Sequence, residues 1–144
     1  MSLLDNLTSP SFRVNVSGGV AEIVLYDVID PVFGTGAKQI KEELDAAGEV
    51  SEIHLRINSE GGNVFEGLAI YNLLKQHSAR VIVHVDGTAL SAASFVAMAG
   101  DEIEVAENSW LMVHNPVIDL AGADAAELRR NADLIDGLRE QLIG

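Results

Sequence analysis

The sequence predicts an α/β domain built on a mostly parallel sheet. Three observations carry that expectation. Strand-like and helix-like patterns alternate from about residue 50 onward, residues 81–85 form a run that is apolar except for His84, and hydrophobic residues make up 48% of the chain while aromatics make up 5%. Repeated β-α units require crossover connections and parallel strands, and a near-continuous apolar run is what a strand covered on both faces looks like. With so few aromatics, the core must be filled by aliphatic and alanine side chains, which suits closely packed helix and sheet layers.

Phe12, Val14 and Val16 alternate with polar residues, Ser17-Gly18-Gly19 makes a turn, and residues 20–25 form a second apolar run; together they read as a β-hairpin. Residues 37–47 place Ile40 and Leu44 at helical spacing among charges, with Gly48 as C-cap. A strand over 53–57 is broken by Asn58-Ser59-Glu60-Gly61-Gly62, after which Val64, Leu68 and Tyr71 line one face of a helix. The run 81–85 is bounded by Asp86-Gly87, and the small-residue stretch 89–99 reads as a closely packed helix. Short strands follow at 103–105 and 110–113, closed by Asn115-Pro116 just past His114. Asp124 and Glu127 have the spacing of a capping box, and Leu128, Ala132, Ile135, Leu138 and Leu142 make an apolar stripe along a last helix.

At 144 residues the chain is the size of one domain, read here as a single domain over residues 1–144. Nine basic against 22 acidic residues give a formal charge of -13, which repels nucleic acid and anionic membranes, so neither is an expected partner. There is no cysteine, which suits a reducing compartment. Residues 1–10 carry no targeting pattern and no apolar stretch approaches the ~18 residues that span a bilayer. A soluble cytoplasmic protein is expected. The loop 30–36 contains Gly34-Thr35-Gly36 without the lysine and spacing of a phosphate loop; it reads as an ordinary turn, and no cofactor is expected.

Gly61-Gly62 follows a strand and opens a helix, where free N–H groups can hold a developing negative charge; alone, the pair is equally a tight turn with positive φ. Ser91 follows the buried strand near the start of the alanine-rich helix, the setting of a nucleophile elbow without its G-x-S-x-G sequence, and the Ala92 N–H is in place as a second oxyanion donor. The bland account is that Ser91 and Ser94 are small residues that let helices approach. Among four histidines, His54 and His84 lie within strands and His77 in a polar helix end, whereas His114 stands at a strand terminus before a chain-turning Asn-Pro. A neutral imidazole is the usual partner of a serine nucleophile; taken singly, each histidine also reads as a satisfied structural one.

The order and spacing of these residues resemble the ClpP-type serine peptidases. The likeness is carried by Arg56-Ile57-Asn58-Ser59-Glu60-Gly61-Gly62-Asn63-Val64 running on to Gly67-Leu68-Ala69-Ile70-Tyr71, by Gly87-Thr88-Ala89-Leu90-Ser91-Ala92-Ala93-Ser94-Phe95 with Ala99-Gly100, and by Met112-Val113-His114-Asn115-Pro116. The run Val64-Phe65-Glu66-Gly67-Leu68-Ala69-Ile70-Tyr71-Asn72 and the His-Asn-Pro ending are most similar to phage-encoded ClpP-like proteases associated with head maturation. The resemblance implies a ClpP/crotonase-like fold of repeated β-β-α units and a serine endopeptidase that processes phage head or scaffold proteins, located in the bacterial host cytoplasm. It implies that Ser91 attacks a scissile carbonyl, that His114 takes its proton, and that the Gly62 and Ala92 amides hold the oxyanion. It further implies a peptide or protein substrate, a homo-oligomeric ring and a separate ATPase unfoldase.

Glu60, Leu90 and Ala93 depart from the family's usual proline, alanine and glycine, and Ser94 stands at a small-residue position read as helix packing. Where larger members have a glycine-rich strand past the histidine that lines the peptide cleft and joins two rings, this chain has Val117-Ile118-Asp119-Leu120 before Gly122. The family's third catalytic residue, an aspartate, lies some tens of residues past the histidine and is expected beyond Gly144, which reads as a C-terminal truncation. Asp119 is in range by number, Asp124 reads as a cap, and Asp133 and Asp136 as exposed helix positions. The competing functions are an acyl-CoA enzyme of the crotonase type, a serine-lysine peptidase of the signal-peptide-peptidase type using Lys38, Lys41 or Lys75, and a silent assembly protein of the same fold.

Overall fold

The computed structural model describes residues 12–143; the N-terminal ten residues read above for a targeting pattern lie outside them. Strands β1 (Phe12–Ser17) and β2 (Val20–Leu25) form the antiparallel hairpin the alternation predicts, turning through Gly18 and Gly19, both at positive φ. Then come α1 (Ala37–Ala47), β3 (Glu52–Ser59), α2 (Val64–Gln76), β4 (Arg80–Leu90), α3 (Ala92–Ala97), β5 (Glu102–Val105), β6 (Trp110–Met112) and α4 (Ala125–Ile143). The six strands make one sheet in the order β1-β2-β3-β4-β5, with β6 also on β4, and every pairing except the hairpin is parallel. The mixed α/β architecture with a mostly parallel sheet is as expected.

The two faces of this sheet differ. Ala21, Ile23 and Leu25 of β2, Ile53, Leu55 and Ile57 of β3 and Val81, Val83 and Val85 of β4 alternate onto one face and are buried with Ile40 and Leu44 of α1, Ile70 and Leu74 of α2 and Val96 of α3. Each such Val, Leu or Ile side chain stabilises the fold by about 1.5–3 kcal/mol relative to exposure. The other face carries charge. Arg56 clasps Asp86 through two hydrogen bonds of 2.9 and 2.5 Å, Arg80 meets Glu102 at 2.6 Å, and His54 Nδ1 lies 2.9 Å from His84 Nε2, whose ring in turn meets Glu104 at 2.7 Å. The near-continuous apolar look of residues 81–85 comes from Ile82, the one apolar residue of the run on that charged side, while His84 is the polar one.

Two sequence expectations need correction. Asp86-Gly87 does not end the fourth strand, which runs on to Leu90, and the helix expected over 89–99 is confined to Ala92–Ala97. The register between β3 and β4 slips after Ile57, so that Ser59 pairs with Ala89, and the Asn58 side chain fills the gap by accepting from the Thr88 N–H at 3.0 Å. A Cβ on Gly87 would lie 2.5 Å from Asn58 Oδ1. The glycine admits a side chain into the ladder rather than turning the chain.

The chain forms two compact units, one ending at Val113 and one beginning at His114. In the second, the expected capping box is present: the Asp124 carboxylate accepts from the Ala126 and Glu127 N–H groups, both at 2.8 Å, and Glu127 accepts from the Asp124 N–H at 3.1 Å. Along the stripe of α4, Leu138 is buried while Leu128 is half exposed. No helix among the described residues is long and apolar enough to cross a membrane.

Candidate active site

Ser91 follows the last residue of β4 and precedes the first of α3, with φ 54° and ψ -124°. Among the described residues no other non-glycine has positive φ. Such a conformation costs on the order of 1–3 kcal/mol and persists only where surrounding contacts impose it. Here β6 pairs beside Leu90, the Ser91 N–H donates to the Met112 carbonyl at 2.9 Å, and the Ser91 carbonyl accepts from Ser94 N at 3.0 Å. A strand that meets a helix in one strained residue projects that residue's side chain out of both, which is the geometry of a nucleophile elbow.

The glycine turn lies against this elbow. A Cβ on Gly61 (φ 91°) would fall 2.4 Å from the Leu90 carbonyl oxygen and 2.9 Å from Ser91 Cβ, so only glycine allows the approach. Gly62 (φ 143°) is pressed against Ile29 instead, where an added Cβ would fall 2.3 Å from the carbonyl oxygen. The turn is tied down by Ser59, whose buried hydroxyl donates to the Asp27 carbonyl at 2.6 Å and accepts from the Gly61 N–H at 3.1 Å. It is also tied to the loop after β2: Ile29 N–H donates to the Gly61 carbonyl at 2.8 Å and Asn63 N–H to the Ile29 carbonyl at 2.7 Å. Asn63 then caps α2 by accepting from the Phe65 and Glu66 N–H groups.

The brace for the glycine turn is thus the segment 27–29, onto which the loop 30–36 folds back as Thr35 N–H donates to the Val28 carbonyl at 2.9 Å. Asp30 holds that loop by accepting from the Phe33 and Val32 N–H groups, both at 2.8 Å, which lowers its carboxyl below the usual range.

Of the sequence-predicted residues, Gly62, Ser91 and Ala92 are thus gathered in the first unit. Neither the Gly62 N–H nor the Ala92 N–H makes a hydrogen bond among the described residues, so both are available as donors. His114 opens the second unit, exposed, with Nδ1 2.6 Å from the Asn115 carbonyl oxygen. A carbonyl oxygen only accepts, so Nδ1 is the donor in this bond, and in the neutral ring Nε2 is then the nitrogen with the lone pair a general base needs. His54 and His84 face each other on the charged side of the sheet, and His77 Nδ1 accepts from the Ala79 N–H at 3.0 Å. Asp124 is engaged as a cap.

Residues 21–144 match the Clp protease family. The chain belongs to that family. Within it, the chain is 41% identical over 76 residues to an ATP-dependent Clp protease proteolytic subunit of Ligilactobacillus salivarius, covering 51% of this chain and 39% of that protein. It is 33% identical over 101 residues to ATP-dependent Clp protease proteolytic subunit 2 of Synechococcus sp. (strain CC9605), covering 69% of this chain and 51% of that one. The subunit of Deinococcus radiodurans is 33% identical over 102 residues, with 69% and 50% covered. The chain spans about half the length, or less, of these Clp relatives.

Sequence reasoning passed over Ser59, considered Gly61 only as the partner of Gly62 in a candidate oxyanion hole, and read Ser94 as helix packing. The signal for Ser59 was legible: it occupies the next inward position after Ile53, Leu55 and Ile57, where a polar residue must find a partner. Gly61 carried no such signal, because its close neighbour is 30 residues away.

Proposed function

We propose that this chain is a serine endopeptidase of Clp type, and the observation that carries the reading is the strained Ser91 elbow lying against Gly61. Ser91 Oγ attacks the scissile amide carbon as His114 Nε2 takes its proton, and the oxyanion is held by the Gly62 and Ala92 N–H groups. Collapse expels the amine, which receives the proton from His114, and water releases the acyl group by the reverse sequence. The Asn115 carbonyl fixes the His114 tautomer but lacks the full negative charge with which an aspartate stabilises the imidazolium. Loss of that role costs about four orders of magnitude in trypsin. An aspartate carboxylate placed on His114 Nδ1 would supply that charge.

The finer reading is a phage-type enzyme that trims head or scaffold proteins in the host cytoplasm, supported by the run from Val64 to Asn72 and by His114-Asn115-Pro116. The relatives are named as ATP-dependent proteolytic subunits, which supports assembly into a ring served by a separate ATPase. The half-exposed stripe of α4 supports self-association.

A fluorophosphonate should modify Ser91 and nothing else, and Ser91→Ala should abolish labelling completely. Labelling that survives Ser91→Ala and disappears in Ser94→Ala would move the nucleophile. Binding of a CoA thioester without peptide hydrolysis would favour the crotonase reading, and an unlabelled, inactive assembly would favour the silent one. Light scattering should show a species larger than one chain; a strict monomer counts against the ring.

A further inference from the structure

Ser94 is 1% exposed, and its hydroxyl donates to the Ser91 carbonyl at 2.6 Å, the shortest of three donors on that oxygen; the others are the Ser94 and Phe95 N–H groups at 3.0 and 3.4 Å. Two backbone donors would satisfy a carbonyl at the start of a helix, so the hydroxyl is not needed to avoid an orphaned acceptor. Its effect is directional. The Ser91 C=O and the Ala92 N–H belong to one planar peptide unit and point opposite ways, so whatever holds the carbonyl aims the amide. The glycine turn repeats the arrangement: the Gly61 carbonyl is held by the Ile29 N–H at 2.8 Å, and the Gly62 N–H is on the far side of that same peptide plane.

Resting on the proposed peptidase reading, we infer that Ser94 is a positioning residue that aims the Ala92 N–H at the oxyanion by holding the Ser91 carbonyl. The glycine turn does this with main chain alone. At the elbow the two backbone donors are long, at 3.0 and 3.4 Å, and the side-chain hydroxyl at 2.6 Å is the donor that fixes the plane. An aimed amide acts on charge that exists only after attack, so Ser94 governs the rate of the covalent step and not the binding that precedes it.

The test is saturation kinetics of fluorophosphonate labelling on the 144-residue chain, giving the limiting rate and the half-saturating concentration separately, alongside thermal melting. In Ser94→Ala the limiting rate should fall about tenfold with half-saturation unchanged. The pH dependence should keep its shape, since the base is untouched. Ser94→Thr, which keeps the hydroxyl, should recover most of the rate. An unchanged limiting rate in Ser94→Ala, or a loss confined to half-saturation, overturns the inference while leaving the peptidase reading intact. Absence of labelling in the unsubstituted chain, or labelling that survives Ser91→Ala, overturns both. If Ser94→Ala does not fold, Ser94→Cys decides: its weaker donor should give an intermediate limiting rate, and the unsubstituted rate would refute the inference.

Discussion

The segments around Ser91 and His114 hold the proposed nucleophile and the proposed base by opposite means. Ser91 is fixed from several sides: β6 beside it, α3 after it, and Gly61 packed against its Cβ. His114 lies in an exposed stretch where Trp110 is 72% and Val113 75% accessible, and its recorded polar contact is with the next residue's carbonyl. The nucleophile's strain must be imposed by the fold, so tertiary contacts accumulate there. The tautomer of an imidazole, by contrast, can be set by one local hydrogen bond.

That contrast makes perturbations of the two regions separable. The largest effect is expected for His114→Ala, which should slow peptide hydrolysis by three orders of magnitude or more, on the order of 10^3–10^6-fold by analogy with other serine peptidases, while the melting temperature stays near that of the unsubstituted chain. A substantial loss of stability would show that His114 is braced by more than Asn115.

Gly61→Ala should behave the other way. A Cβ placed 2.4 Å from the Leu90 carbonyl oxygen, on a residue at φ 91°, should destabilise the fold by about 2–4 kcal/mol in chemical denaturation. Labelling of Ser91 should fall with it, because the elbow and the turn cannot be displaced separately. Normal stability with lost labelling would mean that the contact serves chemistry alone.

The smallest effect concerns the charged face of the sheet, away from both regions. Tyr26 donates to Asp86 at 2.5 Å, and that hydrogen bond, followed by burial and the Asp86 charge, raises the phenol above its ordinary value of 10.0. A raised pKa means the folded state favours the protonated phenol. Its contribution is complete below pH 10 and fades as pH rises through the higher folded value. Tyr26→Phe should therefore lose a small increment of stability at neutral pH and show a shallower decline above pH 10, read from melting temperature against pH. Parallel curves for the two proteins would show that the Tyr26–Asp86 bond contributes nothing.

The hairpin, α1 with Gly48 after it, α2 and the capping box at Asp124 were all readable from the sequence, because period, turn and cap signals are local. The fourth strand was misjudged at Asp86-Gly87 because what continues it is Asn58, a residue on the neighbouring strand. Ser94 was read as packing for the same reason: a buried serine and a serine aimed at a particular carbonyl look alike until the carbonyl is placed.

By itself, the sequence determined the alternation of elements, the aliphatic core and the candidate Gly62, Ser91, Ala92 and His114, since hydrophobic periodicity and motif spacing are properties of the chain. Only the tertiary structure decided that Gly61 is the glycine lying against Ser91, that Ser59 and the loop after β2 hold the turn, and that Ser91 alone among described non-glycine residues takes positive φ. Those features arise from atoms brought within 3 Å across long stretches of chain, and no local pattern encodes a distance of that kind.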